Sequence, residues 1–296
     1  MTPVRRDITI GSHGDQLAAY LYLPDTAARA VGCVVMAHGF SATRDDGLPP
    51  YAEAFQRAGF AVILFDYRHF GASTGEPRQL IDIGRQQQDY RAVIEWARGQ
   101  DGIDPDKIVL WGSSFSGGHV IEVAAADPRI AAVISQAPFT DSVAVMRQMP
   151  VRNIVRGGMA ALRDHAGALL GRSPSYLPAV GDPGSLAVMT APDAMAGFAR
   201  IAGPQTRWRN EVAARIVLDV AGYRPGRRAA QLAMPVLFCV CDEDTTTPPG
   251  QTVEAAHRAP RGELRRYPYG HFAIYLDPQV KSDQVEFLTR TVCSSV

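Results

Sequence analysis

Trp111-Gly112-Ser113-Ser114-Phe115-Ser116-Gly117-Gly118-His119 joins an apolar run at residues 107–110 to another at residues 120–126. The run before it reads as a buried strand and the run after it as a helix. A strand, a tight glycine-rich turn carrying a serine, and a helix together make a nucleophile elbow. Such a turn holds one hydroxyl at the top of a sheet, with the backbone N–H groups of the helix N-terminus beside it. That geometry suits attack on a carbonyl carbon. Ser113, Ser114 and Ser116 compete for the role, and only Ser114 stands two residues after Gly112 and directly at the turn. The usual pattern is Gly-x-Ser-x-Gly. Here Ser116 occupies the last place, and it is small, as close packing of the helix on the strand requires.

Around the elbow, strand and helix signals alternate. Residues 6–10 and 16–23 read as an opening pair of strands joined by the turn at 11–15. Residues 30–37 and 61–66 are continuous apolar strands, and 48–57 is a helix with Gly59 as its stop. Residues 83–98 carry the helical stripe Tyr90, Val93, Ile94, Ala97. Another strand covers 130–135. The rhythm resumes with a strand at 235–240, a helix at 251–257, a strand at 262–267 and a helix at 278–291. Continuous apolar strands separated by helices predict an α/β fold with a mostly parallel central sheet and helices on both faces. Residues 141–230 break the rhythm with scattered Gly, Pro and Arg and short helical stretches at 194–201 and 209–220. The expectation is a core of residues 1–140 and 231–296, with 141–230 inserted as a largely helical cap.

The 296 residues hold 46% hydrophobic side chains, enough for a large core. Thirty basic and thirty acidic residues cancel, so nothing in the net charge points to nucleic acid or an anionic membrane. No stretch approaches the roughly 20 apolar residues of a spanning helix, and residues 1–7 lack the apolar centre of an export signal. Cys33, Cys239, Cys241 and Cys293 lack zinc-site spacing, so no metal is expected. Reduced thiols and a cytoplasmic location are the default.

A serine hydroxyl needs a histidine to take its proton and an acid to orient that histidine. In an elbow of this kind the acid and then the histidine follow the serine, each at a strand end. Asp242, Glu243 and Asp244 all follow the strand at 235–240, where open α/β sheets place their sites. Asp244 is favoured over Asp242 as the acid. Of seven histidines, only His271 lies downstream of that acid on a loop just after a strand, so it is the expected base. An oxyanion hole needs two N–H donors. They are expected from Phe115, directly after the nucleophile, and from Phe40, in the loop His38-Gly39-Phe40-Ser41.

These strings resemble the α/β-hydrolase fold across nearly the whole chain. His38-Gly39-Phe40-Ser41-Ala42-Thr43-Arg44 and Phe65-Asp66-Tyr67-Arg68-His69-Phe70-Gly71-Ala72-Ser73 narrow the resemblance to a dienelactone-hydrolase-like group that includes fungal polyketide transferases. The resemblance implies Ser114, Asp244 and His271 as a triad, no cofactor, and a small acyl substrate, polyketide-like in that group. Dienelactone hydrolases proper use a cysteine nucleophile. Ser114 stands in that place, so their particular chemistry does not carry over.

The resemblance implies that the insertion is a cap enclosing the substrate. Met146, Met149, Met159, Met189, Met195, Phe198 and Trp208 fall there and suit either an apolar acyl pocket or a packed cap core. Arg147, Arg152 and Arg156 suit an anionic group or, more simply, a solvated face. The leading expectation is a serine hydrolase or acyltransferase acting on an ester or thioester. A serine peptidase, a C–C bond hydrolase and a silent binding protein on the same fold stay open. So does a homodimer.

Overall fold

The computed structural model describes residues 5–24 and 30–293. Met1–Val4, on which the expected lack of an export signal partly rests, lie outside these. Eight strands form one sheet: β1 (Arg5–Ser12), β2 (Asp15–Tyr22), β3 (Val31–Ala37), β4 (Ala61–Phe65), β5 (Ile103–Ser113), β6 (Ile130–Gln136), β9 (Val236–Cys241) and β10 (Gly262–Tyr267). Two short strands, β7 (Tyr176–Leu177) and β8 (Val212–Ala213), pair only with each other. The main order is β1-β2-β4-β3-β5-β6-β9-β10. β1 and β2 join antiparallel, and every pairing from β4 to β10 is parallel.

The parallel strands are the continuous apolar runs of the sequence. Every residue of β4 and β9 is buried, as is β3 after its first residue. Strands covered on both faces have no solvent side on which to place polar residues. Helices α1 (Pro49–Arg57), α2 (Ile83–Arg98), α3 (Phe115–Ala125), α8 (Pro249–Arg258) and α9 (Pro278–Leu288) pack on them. α2 starts where Asp82 accepts the N–H of Arg85 at 2.9 Å, and its buried stripe includes Tyr90, Val93, Ile94 and Ala97.

Residues 141–230 contribute α4 (Ser142–Gln148), α5 (Val151–Leu169), α6 (Ala194–Ile201), α7 (Ile216–Ala221) and the β7–β8 pair, and none of these joins the main sheet. Two expectations need correction. The helix expected at 209–220 is a strand followed by a short helix. Val212, Ala213, Ala214 and Ile216 are all fully buried, so their apolar spacing served a strand and a turn rather than a helical stripe. And α5, nineteen residues long, escaped notice because its apolar side chains face water. Val151, Val155, Met159, Leu162 and Leu169 are exposed, while Asn153, Gly157, Ala161 and Asp164 face the protein. Asp164 holds that face by accepting from Arg215 Nε at 2.7 Å.

Candidate active site

β5 ends at Ser113 and α3 begins at Phe115, leaving Ser114 between them at φ 57°, ψ −121°. A non-glycine residue at positive φ is strained, and here the strain pushes one hydroxyl out of the sheet. Small neighbours make the turn possible. A Cβ on Gly112 would lie 2.3 Å from the Ser116 carbonyl oxygen, and one on Gly118 would lie 2.5 Å from that of Phe139. Ser114 N–H donates to the Gln136 carbonyl at 2.9 Å, and Phe139 N–H donates to the Ser114 carbonyl at 2.8 Å.

The three serines part company here. Ser113 and Ser116 are fully buried. Gln136 Nε2 donates to Ser113 Oγ at 3.1 Å. Ser116 Oγ lies 2.9 Å from Tyr67 Oη and 2.7 Å from Tyr90 Oη, behind the elbow. Only Ser114 reaches a histidine: its Oγ lies 2.9 Å from His271 Nε2.

His271 Nδ1 in turn lies 2.6 Å from Asp244 Oδ2. Both side chains are 2% exposed. Asp244 Oδ1 accepts the N–H groups of Thr246 at 2.8 Å and Thr247 at 2.7 Å, and Thr247 Oγ1 lies 2.8 Å from Oδ2. The loop after β9 thus holds the carboxylate from its far side and leaves one edge for the histidine. Asp242 and Glu243 are exposed, and Asp242 accepts from Arg266 Nε at 2.8 Å.

Phe40 and Phe115 flank Ser114, their rings edge-to-face at 5.5 Å. Phe115 N–H belongs to the first turn of α3, which has no acceptor of its own. The loop carrying Phe40 comes so close that a Cβ on Gly39 would lie 3.0 Å from Ser114 Cβ. Sequence reasoning missed what anchors this loop. Asp66, at the end of β4, accepts the N–H groups of Arg44 at 2.7 Å and Ala72 at 2.9 Å. Burial pushes the Asp66 carboxyl up to about 6, against the pull of the Arg44 guanidinium, 3.5 Å away. The other side of that guanidinium covers the Tyr20 ring at 3.7 Å. An aspartate directly after an apolar strand, opposite another strand-end loop, was the available signal. His38, fully buried beside them, is pushed down to about 4 by burial and stays neutral.

Ser114 opens into a cavity of about 130 Å³ between the sheet and residues 141–230. Met146 from α4, Met149 directly after it, Met189, and Ile216 and Val217 from α7 line it. Among the described residues no charged side chain does. Met159 and Met195 point to solvent instead, and Phe198 stacks on Trp208 with ring centroids 4.2 Å apart. Arg147, Arg152 and Arg156 are exposed and line no part of the cavity. His119 is buried below Phe115 between Tyr223 Oη at 2.8 Å and Gln86 Oε1 at 2.9 Å.

The model of the family described as X-Pro dipeptidyl-peptidase (S15 family) matches residues 13–174, more than half of the chain. The chain belongs to the S15 family of α/β-hydrolases. This S15-family chain is 44% identical over 290 residues to the quorum-quenching protein AidA of Acinetobacter baumannii, covering 97% of this chain and 95% of that one. It is 35% identical over 173 residues to the thiohydrolase AneE of Aspergillus aculeatus, covering 58% and 54% of the two chains. The crystal structure of the α/β hydrolase GrgF from Penicillium superposes with a TM-score of 0.83 at 25% identity, over 98% of this chain and 99% of GrgF. A Penicillium polyketide transferase, also named GrgF, is among the sequence relatives at 36% over 154 residues, 52% of this chain and 50% of that one. The expected superfamily and fold are those found, and the S15-family chain is an enzyme of the hydrolase and acyltransferase class.

Proposed function

We propose that this enzyme cleaves an ester, thioester or lactone of a small acylated molecule through an acyl-enzyme on Ser114. The hydrogen-bonded line from Ser114 Oγ through His271 to Asp244, 2.9 and 2.6 Å long and opening on an uncharged cavity, carries the reading. His271 Nε2 takes the hydroxyl proton as Ser114 attacks the carbonyl carbon. Asp244 holds the other ring nitrogen and stabilises the imidazolium that forms. Phe40 and Phe115 N–H groups receive the charge that develops on the carbonyl oxygen. The imidazolium then protonates the leaving alkoxide or thiolate, and water or a bound alcohol resolves the acyl-enzyme.

Residues 141–230 act as the cap in this reading, and their apolar inner face receives the acyl chain. The cavity volume is close to the ~150 Å³ of an apolar cavity that holds benzene, so it suits a chain of roughly six carbons. The name of the thiohydrolase relative fits cleavage of a thioester. A dipeptidyl-peptidase reaction fits less well. It must hold the ammonium group of a free peptide N-terminus, and a buried cation needs a paired anion. The cavity lining offers none among the described residues. The three buried free thiols, Cys33, Cys239 and Cys241, support action in the reducing cytoplasm. Among the described residues no helix is long and apolar enough to cross a membrane.

Turnover of p-nitrophenyl esters of two to twelve carbons tests the proposal. Activity is expected to peak near six carbons and to fall by about 10⁴-fold or more in Ser114→Ala. Equal turnover in that variant would remove Ser114 from the mechanism.

A further inference from the structure

Two loops frame Ser114, and residues 197–208 of the inserted segment touch both. On one side is the loop of His271. Phe272 follows His271 directly, and the two rings meet edge-to-face at 5.1 Å. Phe272 also presses on α6. A Cβ on Gly197 would lie 2.4 Å from its ring, and the Phe198 ring meets it at 6.1 Å. On the other side is the loop of Phe40. Ser41 follows Phe40 directly and is buried, with its backbone in the left-handed region at φ 59°. Trp208 Nε1 donates to Ser41 Oγ at 3.2 Å.

The Trp208 and Phe198 rings are the stacked pair. One aromatic pair therefore runs from the neighbour of the base to the neighbour of an expected oxyanion donor. The same segment meets the Phe40 loop again further along, where a Cβ on Gly203 would lie 2.2 Å from the Asp45 carbonyl oxygen. A serine at positive φ is strained, and such a conformation persists where its surroundings over-determine it. Asp66 anchors this loop at Arg44, three residues beyond Ser41. The indole N–H, which can only donate, anchors it at Ser41 itself.

Resting on the reading of Ser114 as nucleophile and of Phe40 N–H as an oxyanion donor, we infer that Trp208 is a positioning residue. By holding Ser41 it sets where the preceding Phe40 N–H points. The inserted segment thus supports the oxyanion hole as well as walling the cavity. A misplaced donor is felt mainly in the transition state, because the charge that it meets develops only there.

Trp208→Phe removes the indole N–H and keeps a ring on Phe198. Ser41→Ala removes the acceptor. Each is expected to lower kcat for p-nitrophenyl hexanoate by about five- to twentyfold, with KM within about twofold. A trifluoromethyl ketone, which forms a tetrahedral oxyanion on the serine, is expected to bind more weakly by a similar factor. The double variant is expected to be no slower than the slower single one, because both changes remove the same bond. Should Trp208→Phe fail to fold, Ser41→Ala carries the kcat and inhibitor tests. Lowered stability with unchanged kcat and unchanged inhibitor binding would make Trp208 a packing residue and overturn the inference. So would a loss confined to KM, or losses that multiply in the double variant. Undiminished turnover in Ser114→Ala would instead remove the reading on which the inference rests.

Discussion

The carboxylate of Asp66 accepts the backbone N–H of Arg44 at 2.7 Å, tying the end of β4 to the loop that carries Phe40. Its second oxygen accepts the N–H of Ala72 at 2.9 Å, so both sides of the carboxylate are used as acceptors. An asparagine can offer only one acceptor there, and its NH₂ must confront an N–H. Asp66→Asn is expected to loosen the Phe40 loop and lower kcat by about ten- to a hundredfold, with KM little changed, because small displacements of a donor are costly in the transition state. Steady-state kinetics on an ester, with circular dichroism to check the fold, decides this. Unchanged kcat would mean that the loop holds its shape without Asp66.

Ser116 takes the usual place of a glycine, but its hydroxyl has work beyond being small. It touches Tyr67 Oη and Tyr90 Oη, and Tyr90 Oη also donates to the Trp111 carbonyl at 2.8 Å. Ser116→Ala removes the hydroxyl that bridges the buried Tyr67 and Tyr90 hydroxyls. The expected loss is about 1–3 kcal/mol of unfolding free energy, with ester turnover retained. Urea denaturation measures the first and an ester assay the second. Loss of activity with unchanged stability would make Ser116 a participant in the chemistry.

His119 gives the fold a pH dependence. Burial pushes it from 6.5 down to about 3, so it is neutral when folded and takes up a proton when unfolded. The unfolded chain thus binds more protons below pH 6.5, and stability falls as pH drops from there towards 3. His38, lowered to about 4, acts in the same direction. Asp66, raised to about 6, acts in the opposite direction, because its folded form binds the extra proton between about 4 and 6. His38 and Asp66 therefore largely offset each other in that window. His119→Gln is expected to flatten the stability slope between pH 6 and 4 by about 1.4 kcal/mol per pH unit relative to wild type. Denaturant titrations across that range test it, and parallel slopes would show that His119 is already protonated in the folded state.

Chain-length selection is placed in the cavity wall. Val217 on α7 lines it together with Met146 of α4 and Met149. Val217→Phe is expected to move the preferred p-nitrophenyl ester from about six carbons to about two to four, because close-packed space lost to the ring is lost to the chain. A set of esters read by kcat/KM shows the shift. An unchanged optimum would place the acyl chain elsewhere.

The core was legible because its constraints are local. Buried parallel strands must be apolar throughout, and β3, β4, β6 and β9 stand out for that reason. Ser114, Asp244 and His271 were expected because each stands in a loop directly after a strand, β5, β9 and the more polar β10, and the structure brings the three side chains together. Residues 141–230 were less legible. The exposed Val155, Met159 and Leu162 of α5 reverse the usual pattern of an apolar face turned inward. The Asp66–Arg44 bond joins residues 22 apart in sequence, which no local pattern announces.

The most direct test of the account is covalent labelling with a fluorophosphonate, followed by peptide mass mapping. The account predicts one phosphonyl adduct per chain, on the peptide containing Ser114, absent in Ser114→Ala and formed at least about a hundredfold more slowly in His271→Ala. An adduct on another residue, or labelling of the wild type no faster than of His271→Ala, would contradict it.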